Sequence, residues 1–180
     1  LEIASRGLLR EGTCFIGPRQ TAGDYAGLAH CRVGAGGGPR VLIWGDSFAA
    51  HLVPGLADIG ADGPVIHQYT ASGCPPILGL AVPRRSECRD FNDRAVDLIR
   101  ELRPAVVVLS ARWEAYLGRS VDEGRIAQTI AGVQDMGAKV VLVGQSPSFD
   151  FDNPYDFVYR KGAAVARSAP AEALNAGLAR

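Results

Sequence analysis

The stretch Val41-Leu42-Ile43-Trp44-Gly45-Asp46-Ser47 joins four consecutive apolar residues to a short polar end. A continuous apolar run of this length, stopped by glycine, is typical of a β-strand buried on both faces of a sheet. The strand predicted over Val41–Trp44 delivers Ser47 to the sheet edge, just before a helix predicted over Ala49–Ile59. Ser47 is therefore either a helix N-cap or a nucleophile at a position where backbone N–H groups favour developing negative charge.

Strands and helices alternate along the rest of the chain. The pattern predicts further strands over Val65–Tyr69, Ala105–Leu109 and Lys139–Val143, and helices over Arg89–Leu102, Val121–Met136 and Ala163–Arg180. This alternation favours a parallel sheet with helices on both faces, in which ligands bind beyond the carboxyl ends of the strands. Ser47, Gly73 and Arg112 each follow a predicted strand or lie in the loop after one, so we expect them to converge.

The composition fits one α/β domain of ordinary size. The chain has 180 residues, of which 47% are hydrophobic, enough for one core. Its 19 basic and 19 acidic residues cancel, which gives no indication of a nucleic-acid or membrane-surface partner. No apolar run approaches the ~18 residues of a membrane span, so no transmembrane segment is expected in this chain. Residues 1–40 show little periodicity and are expected to form an irregular lead-in to the α/β domain over 41–180.

The four cysteines fall as two local pairs, Cys14 with Cys31 and Cys74 with Cys88. An even number at short intervals fits two disulfides, although four cysteines allow three connectivities. Four buried free thiols in a cytosolic protein are the alternative. No C-x-x-C motif is present, so neither a zinc site nor a thioredoxin-like motif is predicted. If the bridges form, the compartment is oxidising, and Cys14–Cys31 pins the lead-in to the body.

An ordered set of motifs resembles a known family. The set is Trp44-Gly45-Asp46-Ser47-Phe48-Ala49-Ala50-His51, then Ser72-Gly73-Cys74-Pro75-Pro76, then Cys88 with Phe91-Asn92, then Leu109-Ser110-Ala111-Arg112-Trp113. It resembles the SGNH (GDSL-like) hydrolase superfamily and, more narrowly, the extracytoplasmic SGNH domain fused to acyltransferase-3 membrane proteins. The resemblance covers most of residues 10–180 and implies a flavodoxin-like three-layer α/β/α sandwich with a central parallel sheet.

The resemblance also implies a reaction. It implies transfer of an acyl group, usually acetyl, to sugars of a cell-surface polysaccharide such as lipopolysaccharide. Ser47 is then the catalytic nucleophile, and the N–H groups of Ser47 and Gly73 donate to the oxyanion. No cofactor is expected in this chain, because acetyl-CoA serves as acyl donor at the membrane acyltransferase-3 domain of the parent protein. The expected location is periplasmic or extracytoplasmic, with the parent protein holding the domain at the inner membrane.

Two places depart from the family pattern. The superfamily has an Asn in a Gly-x-Asn-Asp block where this chain has Ser110-Ala111-Arg112-Trp113, so Arg112 is a candidate replacement donor or a surface salt-bridge residue. The family's Asp-x-x-His motif has no counterpart either, and we expect that segment to be missing from this sequence. His51, one helical turn after Ser47, is a candidate base or a residue that packs or caps the helix. His67 is expected to be structural and His30 to lie at the surface.

Aromatic residues suggest where a sugar binds. Trp113 is predicted either to pack or to form a sugar platform, and Tyr155 lies in an aromatic, Asp-rich loop predicted over Ser146–Tyr159. Both are predicted substrate-binding residues. The alternatives for the segment that carries Tyr155 are a solvated loop, a glycosidase carboxylate pair and a calcium loop. The EF-hand pattern of a calcium loop is not met. No metal site is predicted. The sequence thus predicts a serine-dependent carbohydrate O-acyltransferase domain. The alternatives are a secreted carbohydrate esterase, a non-catalytic glycan-binding or structural module, and a flavodoxin-like nucleotide binder.

Overall fold

The computed structural model describes residues 7–83 and 85–145. Six strands occur within these residues: β1 (Phe15–Ile16), β2 (Arg32–Val33), β3 (Arg40–Gly45), β4 (Val65–Ala71), β5 (Val106–Ser110) and β6 (Lys139–Val143). The helices are α1 (Ser47–Ala50), α2 (Val53–Leu56), α3 (Cys88–Leu102), α4 (Trp113–Tyr116) and α5 (Glu123–Asp135), with a 3-10 turn at Ala22–Asp24. The predicted loop over 146–159, the predicted helix over 163–180 and Tyr155 lie outside the described residues.

The strands form one sheet in the order β1-β4-β3-β5-β6, and β2 also pairs with β4. The pairs β1–β4, β3–β4, β3–β5 and β5–β6 are parallel, which confirms the predicted parallel sheet. Gly45 at the end of β3 lies opposite Thr70 of β4 on one side and Ser110 of β5 on the other. The carboxyl ends of the three central strands are therefore level, and the segments that follow them begin at the same edge.

Helices cover both faces of this sheet. Alternate side chains of β3 point to opposite faces because successive residues of a strand do so. One face carries Leu42 and Trp44, which pack in a cluster with Leu98 of α3 and Val133 of α5. The other face carries Ile43, which packs with Ala49 of α1, Val53 of α2 and Ile66 of β4. The expected three-layer α/β/α sandwich is confirmed.

The lead-in is more regular than its sequence predicts. β1 runs parallel to the carboxyl-terminal end of β4, and β2 runs antiparallel to its amino-terminal part. The disulfide Cys14–Cys31 joins the segments that carry these two strands. Two short strands of the lead-in, β1 and β2, thus contribute to the sheet, where the sequence predicts an irregular segment. A strand of two residues has no measurable period, so its sequence gives no signal.

The helix predicted over Ala49–Ile59 is divided into α1 and α2. Pro54 is the second residue of α2, where a missing N–H is tolerated. In a continuous helix, its ring would press against the carbonyl of Ala50, four residues earlier. The break between the two helices follows from this clash. Among the described residues, the ends of the other predicted helices and strands lie within two residues of the observed ends.

Candidate active site

Ser47 follows β3 and is the first residue of α1, at the carboxyl edge of the sheet. It is half-buried, and no hydrogen bond from a described side chain reaches its hydroxyl. The preceding residue, Asp46, is the N-cap, and its Oδ1 accepts a hydrogen bond from the Phe48 N–H at 2.8 Å. Because Asp46 caps the helix, the Ser47 hydroxyl is not required as the cap. The turn therefore holds Ser47 while leaving its side chain available.

Asp46 also connects this turn to the turn after β5. Its Oδ2 accepts hydrogen bonds from the Arg112 N–H at 3.0 Å and from the Tyr116 hydroxyl at 3.1 Å. The carboxyl is almost fully buried, with Asp46 only 1% exposed. Burial raises the pKa of Asp46, and the hydrogen bonds from Arg112, Phe48 and Tyr116 oppose that rise. Asp46 thus fixes the turn, and Tyr116 is a partner that no sequence signal indicates.

The loop that carries Gly73 is held at two points. Gly73 follows β4 and has a φ of +69°, which favours glycine. The next residue, Cys74, forms a disulfide with Cys88, the first residue of α3. The buried Asn92 side chain donates to the Pro75 carbonyl at 3.2 Å and accepts from the Trp44 indole N–H at 3.2 Å. These contacts fix the Gly73 loop to both α3 and β3. Both predicted cysteine pairs are confirmed, since the other bridge is Cys14–Cys31.

The Arg112 side chain is engaged elsewhere. Its Nε and Nη2 donate to Glu114 Oε1 at 3.0 and 2.9 Å, and 56% of the side chain is exposed. Its backbone N–H is bound by Asp46. Arg112 and Glu114 thus form a surface salt bridge, which is the alternative role predicted for Arg112. A role for Arg112 as an oxyanion donor stays a prediction, and the geometry does not favour it.

Trp113 lies in the interior beside Arg112. It is 3% exposed, and its indole N–H donates to the Val143 carbonyl at 2.8 Å. The ring packs in a cluster that includes Ile77 and Val121. This burial favours packing over a sugar platform, because a platform has to present the face of its ring to the ligand.

The three histidines of the sequence occupy different environments. His51 is the exposed C-cap of α1, and its ring centroid lies 6.0 Å from that of Phe48. His67 is nearly buried in β4, with Nδ1 2.9 Å from the Leu28 carbonyl oxygen, and burial lowers its pKa. His30 is exposed. The expected structural and surface roles of His67 and His30 are confirmed, and no hydrogen-bonded imidazole–carboxylate pair occurs among the described residues.

The described residues also offer no evident metal centre. Across residues 7–83 and 85–145, no three His, Cys, Asp or Glu side chains cluster as metal ligands would. What the arrangement brings together is a half-buried serine hydroxyl, a buried carboxyl group and a loop glycine at the level ends of three parallel strands. This is the edge at which ligands bind in open α/β sheets.

Comparison with protein families identifies the domain. A family described as the SGNH domain fused to AT3 domains matches residues 13–179. The chain belongs to this family. A solved structure with a similar fold is that of the periplasmic domain of a lipopolysaccharide acetyltransferase from Salmonella ser. Paratyphi A. The TM-score is 0.62 at 21% identity, and the match covers 83% of this chain and 58% of the other. This chain thus spans little more than half of that domain, and the likeness shows a shared fold. No curated protein sequence matches the chain.

Membership supports an acyltransferase- or esterase-like role for this SGNH domain. The two disulfides point to an extracytoplasmic location, since disulfides persist in oxidising compartments. No helix in the described part of the chain is both long and apolar enough to cross a bilayer.

Proposed function

We propose that this SGNH domain transfers an acyl group, in the first instance acetyl, from Ser47 to a sugar hydroxyl of a cell-surface polysaccharide. The observation that carries the proposal is the position of Ser47. It is the first residue of α1 at the carboxyl edge of β3, and the buried Asp46 carboxyl takes the capping role. A serine whose capping function is supplied by its neighbour is available for nucleophilic chemistry.

The proposed chemistry has two matching steps. Ser47 Oγ bonds to the acyl carbon, the carbonyl electron pair moves to oxygen, and the serine proton passes to a base. The N–H groups of Ser47 and Gly73 are the proposed donors to this oxyanion. Collapse expels the donor group, which receives the proton, and leaves an acyl-serine. The sugar hydroxyl then attacks in the same manner and regenerates Ser47.

The general base belongs to the imidazole class. The resemblance supplies it from an Asp-x-x-His motif that this sequence lacks, and His51 is the histidine closest to Ser47 along the chain. The His51 ring is exposed, and none of the hydrogen bonds of the described residues orients it toward Ser47. We therefore propose that the base comes from outside the described residues.

The proposed acyl donor and partner follow from the family. Members of this family are fused to AT3 domains, so we propose a membrane acyltransferase-3 domain as the source of the acyl group and acetyl-CoA as its donor on the cytoplasmic side. The proposed acceptor is a cell-surface glycan, because the similar solved domain comes from a lipopolysaccharide acetyltransferase.

The proposal is tested by Ser47→Ala in the full-length protein in its native host. The O-acetyl content of the cell-surface polysaccharide, measured by NMR, is expected to fall to background. Ser120→Ala, in the turn after α4, is the matched control and is expected to leave acetylation unchanged. Unchanged acetylation in the Ser47→Ala strain would remove the proposal.

Two other functions compete. In a carbohydrate esterase, water replaces the sugar as acceptor, so release of free acetate without glycan acetylation would identify it. The lack of an imidazole–carboxylate pair among the described residues favours a non-catalytic glycan-binding module instead. Glycan binding that survives Ser47→Ala, together with no covalent labelling of Ser47 by an active ester, would support that function.

A further inference from the structure

Arg85 lies in the irregular chain between the Gly73 loop and α3, and it contacts the lead-in. Its Nη2 donates to the Gly17 carbonyl at 2.8 Å and to the Gln20 carbonyl at 3.5 Å. The side chain is thus held from one side by backbone carbonyls 68 and 65 residues away in the sequence. A planar guanidinium fixed through one nitrogen presents its remaining N–H groups in defined directions.

The other surroundings of Arg85 belong to the candidate active site. A Cβ atom built on Gly73 would lie 3.9 Å from Arg85 Cδ, so the Arg85 stem borders the proposed oxyanion donor. The Arg85 cation also acts on the Tyr116 phenol, whose hydroxyl binds Asp46 beside Ser47. Burial and the neighbouring Asp46 raise the pKa of Tyr116, and the positive charges of Arg112 and Arg85 oppose that rise. The Arg85 stem therefore borders the Gly73 loop, and its charge acts on a member of the hydrogen-bond network of the Ser47 turn.

One donor of this guanidinium is unused. Arg85 Nε is buried and has no hydrogen-bond acceptor within the described residues. A buried N–H without an acceptor costs free energy, so native structures rarely keep one without a function. Burial lowers the pKa of Arg85, and Glu87 opposes this, but a guanidinium stays charged at neutral pH. The group is thus a permanent cation with a free donor.

We propose that Arg85 is a further catalytic residue of this domain, whose Nε–H and positive charge stabilise the acyl oxygen when Ser47 attacks. This inference rests on the proposed function of Ser47. As the Ser47 Oγ–carbon bond forms, the carbonyl electron pair moves to oxygen and the serine proton passes to the imidazole base. Preorganised donors aimed at that oxygen lower the barrier. Arg85 then takes the role for which Arg112 was predicted, because Arg112 is engaged by Asp46 and Glu114.

The test compares variants of the full-length protein. Arg85→Gln and Arg85→Met remove the charge, and Arg85→Met retains an unbranched apolar stem. Arg10→Gln is the matched control, because the Arg10 guanidinium also donates to lead-in carbonyls, those of His30 and Arg32. Arg32 pairs with His67 in the amino-terminal part of β4, away from the candidate active site. Arg112→Gln tests the competing arginine.

The readouts are kcat and KM for hydrolysis of p-nitrophenyl acetate, with the thermal midpoint measured for every variant. Removing one oxyanion donor typically lowers kcat by about 100-fold or more, and we expect a loss of about 10- to 100-fold for both Arg85 variants with KM little changed. Arg85→Lys, which keeps the charge without the planar fork, is expected to lie between these variants and the wild type. Arg10→Gln is expected to keep the wild-type kcat.

Two results would overturn the inference. If the folded Arg85 variants keep the wild-type kcat and lower only the thermal midpoint, as Arg10→Gln does, Arg85 is a structural clamp. If Arg112→Gln loses turnover and the Arg85 variants do not, Arg112 is the donor. Failure of the proposed function is a separate result, since Ser47→Ala would then retain turnover whatever the Arg85 variants do.

Discussion

The Tyr116 hydroxyl donates a hydrogen bond to Asp46 Oδ2 at 3.1 Å across 70 residues of sequence. It joins the turn after β3 to the helix after β5, two segments that meet because Gly45 and Ser110 are opposite each other in the sheet. Asp46 receives a second hydrogen bond from the same region through the Arg112 N–H. The position of Ser47 therefore depends on the register of two strands as well as on its own turn.

Asp46→Asn is expected to destabilise the domain by about 1–3 kcal/mol, the usual cost of leaving buried hydrogen-bonding groups without partners. Both carboxyl oxygens of Asp46 accept hydrogen bonds. In the Asn variant, the side-chain NH₂ group would replace one of these oxygens and would face a donor instead of accepting from it. Urea unfolding measures the change. Asp122→Asn is the control, because Asp122 is an exposed N-cap whose Oδ1 accepts from the Arg125 N–H, and Asn caps as well as Asp. Equal losses in the two variants would contradict the buried network.

Stability should also depend on pH through Asp46. Its folded pKa is raised, mainly by burial, so the folded state binds a proton more readily than the unfolded state. The contribution of Asp46 is then fully present below the unfolded pKa of about 3.9 and is lost as the pH rises through the folded pKa. As the pH rises through that window, we expect the free energy of unfolding of the wild type to fall relative to that of Asp46→Asn. Unfolding measured at several pH values tests this.

Tyr116→Phe should raise the pKa of Asp46 further. The tyrosine hydroxyl is one of the hydrogen bonds that lower this pKa, and the substitution removes it while keeping the ring. The measurement is an NMR titration of the Asp46 carboxyl carbon in both proteins. A pKa in Tyr116→Phe equal to or below that of the wild type would show that the hydrogen bond does not stabilise the charged form.

Removing each disulfide in turn should lower stability in both cases but activity in only one. They span 14 and 17 residues, and removing either by paired Cys→Ser changes is expected to cost roughly 3 kcal/mol on the chain-entropy estimate. Only Cys74–Cys88 adjoins the Gly73 loop. We expect its loss alone to reduce acylation of Ser47 by an active ester in protein that is still folded. Equal acylation rates in the two double variants would contradict a role for the loop position.

Gly73→Ala and Gly79→Ala form a matched pair. Both glycines have positive φ, +69° and +65°, so each alanine should cost about 1–2 kcal/mol of stability. A Cβ on Gly79 would meet nothing within 4 Å, whereas one on Gly73 would contact Arg85. Turnover, measured under conditions where both variants are folded, is expected to fall in Gly73→Ala only. A similar fall in both would mean that strain rather than the site is responsible.

Trp113→Phe should lower stability without weakening acceptor binding. The substitution leaves space in a buried cluster and leaves the Val143 carbonyl without its 2.8 Å hydrogen bond, which together should cost about 1–3 kcal/mol. Thermal unfolding and the KM for the glycan acceptor are the two measurements. A raised KM at unchanged stability would restore the sugar-platform prediction.

The central strands were predictable because burial on both faces produces continuous apolar sequence. β6 has the predicted bounds, Lys139–Val143, and β3 extends the predicted Val41–Trp44 by one residue at each end. The helix cap was not predicted correctly, because Ser47 was the candidate N-cap and Asp46 takes that role by accepting from the Phe48 N–H. Strong apolar periodicity therefore carries over from sequence to structure.

Features that depend on distant partners could not be predicted. The hydrogen bond between Tyr116 and Asp46 exists only after β3 and β5 are in register. Arg85 lies in an irregular segment without periodicity, and its carbonyl partners are in the lead-in. Arg112 does follow its strand as predicted, but its side chain turns to Glu114, a choice that the spacing of the motif does not determine.

The two short strands of the lead-in have a practical consequence for where the domain begins. β1 and β2 pair with β4 from Ile66 to Ala71, so they occupy backbone groups that would otherwise form an open edge. An uncovered strand edge is a template for pairing with other chains and for aggregation. An expression boundary at residue 41, where the apolar periodicity starts, would remove this cover together with one disulfide. A soluble preparation of the domain therefore has to include the segment whose sequence shows the least order.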